Sequence, residues 1–89
     1  MVQQSQERRR EPRYPADGFV TLEFDDPMLK AVHGRLLDVS GGGFRVAHSC
    51  AALRAGQQVQ FRYKDTAGMA RVMWNRILPE RVETGFVIL

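Results

Sequence analysis

Two short stretches concentrate the side chains able to do chemistry. Arg8, Arg9, Arg10 and Arg13 crowd into RRREPR, and Asp38, Ser40 and Gly43 into DVSGGG. Arginine presents a planar fork of donors that matches a phosphate, or the O6/N7 edge of guanine, in bidentate fashion; lysine would supply the charge without that geometry. An aspartate accepts hydrogen bonds from the N1 and N2 donors of guanine, or it orients an arginine that reads the base. A serine hydroxyl and main-chain N–H groups bared by glycine take phosphate oxygens. Asp38 and Ser40 are one residue apart at the end of an apolar run, which puts both side chains on one face of a strand. Together these groups describe a site for a guanine nucleotide. The three glycines also read as hairpin chemistry, since glycine reaches positive φ without a Cβ clash.

Other chemistries find no comparable set. His33 and His48 stand singly in strand-like segments, with no Ser/His/Asp ordering that suggests a triad. Asp25 and Asp26 precede Pro27 and read as a turn, not a metal site. Cys50, in HSC, has no second cysteine for an internal disulfide and too few neighbours for structural zinc. The expectation is a binding protein, not an enzyme, with no metal and no cofactor.

The elements that must position these residues come from a chain of 89, enough for one domain and one core. With 44% hydrophobic and 26% charged residues, wholesale disorder is excluded. The net charge of +3 is modest, so the arginine cluster, not the total, points to an anionic partner. No apolar run approaches the roughly 20 residues of a membrane span, and the polar start MVQQSQERRR lacks the apolar segment of a secretion signal; a cytoplasmic chain is expected.

Residues 1–17, with Pro12 and Pro15, carry no periodic pattern and read as an arm. Alternation begins at GFVTLEF, and DDP turns the chain. LKAVHGRLLDV is long enough for one strand, with an irregularity expected at Gly34, and FRVAH returns from the glycines. SCAALRAG affords a helical turn at most, ended by Gly56. QQVQFRYK is a strand, DTAG a turn, MARVMWNRIL a strand, PERVET a link and GFVIL the last strand. Six strands with short connections predict a small antiparallel barrel, because closure removes edges that so short a chain cannot otherwise cover.

The order Arg9-x-x-x-Arg13, then Asp38-x-Ser40-x-x-Gly43, resembles the paired signature of the PilZ family, bacterial receptors for cyclic di-GMP. The resemblance spans nearly the whole chain and takes in RVMW and the closing Gly85-Phe86. It implies an all-β, six-stranded antiparallel barrel over residues 18–89, preceded by a flexible arm, residues 1–17, that clasps the ligand. The C-terminal helix common in the family is expected to be absent or truncated, since Leu89 follows directly on the last strand.

Carried over by position, the resemblance makes Arg9 and Arg13 the residues that grip guanine edges and phosphates. Asp38 and Ser40 bind a guanine edge and orient the arm, and Gly43 allows a tight turn and close approach. Arg8 is associated with an intercalated pair of cyclic di-GMP molecules in place of one. Trp74 aligns with an aromatic that lies beside the ligand in some relatives, with a core anchor as its alternative role. The signal would pass by conformational change to a protein effector. Two other readings are a small basic barrel binding RNA and a protein-interaction module of the same fold without ligand. The first wants exposed aromatics on a strand face, and most aromatics here alternate into core positions. The intact arginines and the intact Asp-x-Ser-x-x-Gly argue against the second.

Overall fold

Alternating apolar side chains fold most of this chain into strands. The computed structural model describes residues 13–26 and 29–89. It contains β1 (Tyr14–Pro15), β2 (Phe19–Asp26), β3 (Leu29–Val39), β4 (Gly43–His48), β5 (Gln58–Tyr63), β6 (Thr66–Ile77) and β7 (Val82–Ile88). The sheet order is β1-β3-β2-β5-β6-β7-β4, every pair is antiparallel, and β3 also pairs with β4. That last pairing closes β2 to β7 into a six-stranded barrel. β1 is an additional strand that continues the line of β2 along β3, with Tyr14 opposite Val39 and Phe19 opposite Arg35. No helix occurs among the described residues.

Inward-facing residues fill the barrel. Val20, Leu22, Val46, Val59 and Val72 are at most 1% exposed, and each contributes about 1.5–3 kcal/mol by leaving water. Phe44 stacks on Phe86 with centroids 4.9 Å apart and tilts against Phe61 at 5.1 Å. Leu53, from the loop after β4, is buried in the same cluster.

Several local expectations change. Asp25 and Asp26 are not a turn but the end of β2, and Tyr14–Pro15, expected within an unstructured arm, is β1, held on β3 by pairing with Val39 and Asp38. β3 pairs with β2 in register through Gly34, so the strand is regular there; glycine is needed because a Cβ would overlap Val46 on the neighbouring strand. The irregularity in β3 lies at Leu37, where Leu36 faces Val46 but Asp38 faces Arg45. DTAG is not a turn. Lys64 and Asp65 form a two-residue hairpin loop with Lys64 at φ 53°, and β6 already begins at Thr66. Of PERVET, Val82, Glu83 and Thr84 belong to β7. SCAALRAG forms turns only. None of the glycines in DVSGGG has a positive φ; Gly18 and Gly56 do.

Candidate functional site

Two bulges build the site. In β3 the extra residue at Leu37 leaves Leu36 and Val39 packed on the core and turns Asp38 to the outside, opposite Arg45. In β6 an extra residue at Met73 leaves Val72 inside and sets Trp74 opposite Gly85. Because Arg45 also pairs with Gly85, the residues Asp38, Arg45, Gly85 and Trp74 form one lateral row across β3, β4, β7 and β6. At the usual strand spacing this row is about 14 Å long. On its other side Asp38 pairs with Pro15 of β1, which brings Arg13 alongside. A groove of about 220 Å³ lies over the Arg45, Gly85 and Trp74 part of the row, lined also by Arg13, Ser40 and Gly43 among others.

The electrostatics centre on Asp38, which is 8% exposed. Its Oδ2 accepts from Arg45 Nε at 2.9 Å and Nη2 at 2.5 Å, and its Oδ1 accepts from Arg13 Nη1 at 3.3 Å. The Arg45 hydrogen bonds hold the carboxyl below its ordinary range, outweighing burial, with the charge of both arginines adding to the effect. The same pairing raises Arg45. Arg45 Nη1 lies 3.8 Å from Glu83 Oε1, and Arg81 holds the other oxygen of Glu83. Asp38, Arg45, Glu83 and Arg81 therefore make one network of alternating charge.

Ser40 closes the hairpin: its N–H donates to the Gly43 carbonyl at 2.9 Å, and its hydroxyl reaches the same oxygen at 3.5 Å. At Gly43 a Cβ would overlap the Phe86 carbonyl, so glycine serves a close approach of β4 to β7. Trp74 lies outside the barrel, half-buried, its indole covering Gly85 so closely that a Cβ there would overlap the ring. The Arg76 guanidinium stands 5.9 Å from the ring centroid.

Of the residues singled out in the sequence, Arg13, Ser40, Gly43 and Trp74 line this groove, and Asp38 is bonded to Arg13 and Arg45 at its edge. Arg8 and Arg9 lie outside the described residues. Sequence reasoning missed Arg45 and Glu83. Arg45 was within reach of it: a four-residue hairpin end at Ser40–Gly43 sets Val39 against Phe44 and Asp38 against Arg45. Glu83 was hidden in a segment read as a link.

A second network lies behind the groove. Cys50 N–H donates to His48 Nδ1 at 3.0 Å, so the ring proton sits on Nε2 and is directed to Thr84 Oγ1 at 2.7 Å. Thr84 donates to Asn75 Oδ1 at 2.6 Å, and Asn75 Nδ2 donates to the Leu53 carbonyl at 2.7 Å. Burial pushes the His48 pKa down, in keeping with a neutral ring. The chain ties β4, β7 and β6 together one residue away from Gly85 and Trp74. Among the described residues no group of three metal-binding side chains comes together, and no helix is long and apolar enough to cross a membrane.

Among models of known protein families, that of the PilZ domain matches residues 7–89. No curated protein matches the chain.

Proposed function

The chain belongs to the PilZ domain family, known for receptors of cyclic di-GMP, and from this premise we propose that it binds cyclic di-GMP in the groove lined by Arg13, Ser40, Arg45, Gly85 and Trp74, with Asp38 at its edge. The observation that carries the reading is the state of Asp38 and Arg13. Asp38 is kept as a carboxylate, an acceptor for the N1 and N2 donors of guanine. Arg13 reaches it through one 3.3 Å contact with a side chain 56% exposed. That contact is weak enough to exchange: the ligand's phosphates take Arg13, and the guanine takes the vacated Oδ1. The Ser40 hydroxyl donates to a phosphate oxygen beside Gly43, and the Trp74 indole flanks the base.

Arg9 joins Arg13 on the phosphates, and the part of the 1–17 arm that precedes β1 closes over the ligand, with β1 already anchored on β3. This rearrangement is what a protein effector detects, so the chain works as a receptor and not as a catalyst. Arg8 serves a second, intercalated ligand. Isothermal titration with cyclic di-GMP tests the reading. Two ligands per wild-type chain are expected, and Arg13→Ala should weaken binding by roughly 10- to 150-fold, the worth of one charge-assisted hydrogen bond. Saturation at one ligand removes the role given to Arg8. No binding, or a variant that titrates like wild type, removes the site.

A further inference from the structure

We propose that Arg45 and Glu83 are the positioning residues that make the groove selective for guanine, by fixing the direction of the Asp38 carboxylate. The inference rests on the cyclic di-GMP reading and adds two residues that its sequence signature does not contain.

A carboxylate that reads the N1–H and N2–H of guanine must hold its plane, because both donors lie on one rigid edge. A free aspartate turns about its terminal torsion at little cost. Asp38 is denied that freedom. Arg45 Nε and Nη2 both bind Oδ2, at 2.9 and 2.5 Å, and a guanidinium fork sets the angle as well as the distance. Arg45 is fixed in turn, since its Nη1 lies 3.8 Å from Glu83 Oε1 and the side chain of Glu83 is only 7% exposed. Arg81 occupies the second oxygen of Glu83. The guanidinium is thus held between two carboxylates, Asp38 and Glu83.

The two arginines on Asp38 differ in a way that divides their tasks. Arg13 makes one long contact and is mostly exposed, so it can leave when an anion arrives. Arg45 makes two short contacts, is 32% exposed, and has a second carboxylate that keeps it in place. A purely stabilising role explains the arrangement poorly. Buried ion pairs seldom improve stability over apolar packing of the same volume, whereas an oriented acceptor is what recognition of a rigid edge requires.

The test compares cyclic di-GMP with cyclic di-IMP, which lacks the 2-amino group, on wild type, Arg45→Lys and Glu83→Gln. Lysine keeps the charge and loses the fork. Wild type should prefer cyclic di-GMP by about tenfold or more, as one charge-assisted hydrogen bond implies. Arg45→Lys should reduce that preference to within about threefold by weakening cyclic di-GMP more than cyclic di-IMP, which keeps only the N1–H donor, with thermal unfolding unchanged within a few degrees. Glu83→Gln should move the preference in the same direction by a smaller factor. A variant that weakens both ligands equally, or that keeps the wild-type preference, overturns the inference and leaves the ligand assignment standing. A wild-type chain that binds neither ligand overturns the ligand assignment, and this inference with it.

Discussion

Two walls of the same barrel are built on different rules. Along β5 the pattern is plain: Gln58, Gln60 and Arg62 are exposed while Val59 and Phe61 are buried. Its contact with β2 needs only three residue pairs. Along β7, Val82 to Phe86 are all buried, including outward-facing Glu83 and Gly85. Arg45 and Arg81 cover Glu83, and the Trp74 ring covers Gly85, so this wall carries a second layer of side chains outside the sheet. Burying a carboxylate costs free energy unless it is paired, and even a paired one rarely adds net stability. The β5 wall shows what the barrel needs in order to fold. The β7 wall shows what has been added, and the candidate groove lies there.

Glycine substitutions put the difference under the most strain. A Cβ at Gly43 would overlap the main-chain carbonyl of Phe86, which no rotamer change relieves. Gly43→Ala should cost about 3 kcal/mol, and so lower the midpoint of thermal unfolding by roughly 12–24 °C. At Gly68, on the β5 side, a Cβ would stand 3.1 Å from the Phe61 ring, a side chain able to shift. Gly68→Ala should cost less than about 1 kcal/mol. Equal losses would mean that the two walls are packed alike.

The contrast also explains which parts of the structure the sequence reveals. Period-two alternation exposes strands with one wet face, so QQVQFRYK is read to within a residue at each end and GFVTLEF to within a residue at its start, though β2 runs on through Asp25 and Asp26. It fails where both faces are buried. Val82-Glu83-Thr84 reads as a polar link because nothing in those residues announces that arginines cover Glu83 and that Thr84 is bonded to His48 and Asn75. The bulges at Leu37 and Met73 have no signature either, yet they decide which side of the wall Asp38 and Trp74 occupy. Lys64 in a left-handed conformation likewise hid the true hairpin loop, since glycine or asparagine is the usual sign. The candidate residues at the groove stood out because their types suit one chemistry; Arg45 and Glu83 did not, because an arginine and a glutamate in a strand resemble any exposed pair.

A smaller effect separates the buried polar layer from the barrel by pH. His48 is held neutral, with a pKa below its ordinary value because of burial. At neutral pH and above, both folded and unfolded chains carry a neutral ring and the group contributes nothing to pH dependence. As pH falls through about 6.5, the unfolded chain takes up a proton that the folded chain resists, so stability should decline with falling pH, by at most about 1.4 kcal/mol per unit for a single proton. Asp38 has the opposite chemistry and the same sign. Its lowered pKa contributes stability above its ordinary value of 3.8 that is lost only as pH falls below it. Denaturant unfolding between pH 7 and 5 therefore isolates His48, and His48→Gln should flatten the slope in that window. An unchanged slope would place the titrating group elsewhere.

The smallest expected effect belongs to a charge on the wall opposite the groove. Arg13 and Arg62 are both exposed, and removing either lowers the net charge by one. Arg62 lies on β5, three strands from β4 in either direction around the barrel. If the anionic ligand is held by the row of oriented groups, Arg62→Ala should leave affinity for cyclic di-GMP within about twofold and stability within about 0.5 kcal/mol. At about 0.15 M salt the screening length is about 8 Å, so a charge on the far wall has little reach to the groove. If the chain instead attracted anions through its overall positive charge, the two substitutions would weaken binding alike, and added salt would erase both effects. Titration of both variants at low and at physiological salt decides between these accounts. A loss for Arg62→Ala that matches the loss for Arg13→Ala would make the second layer on the β7 wall incidental to binding.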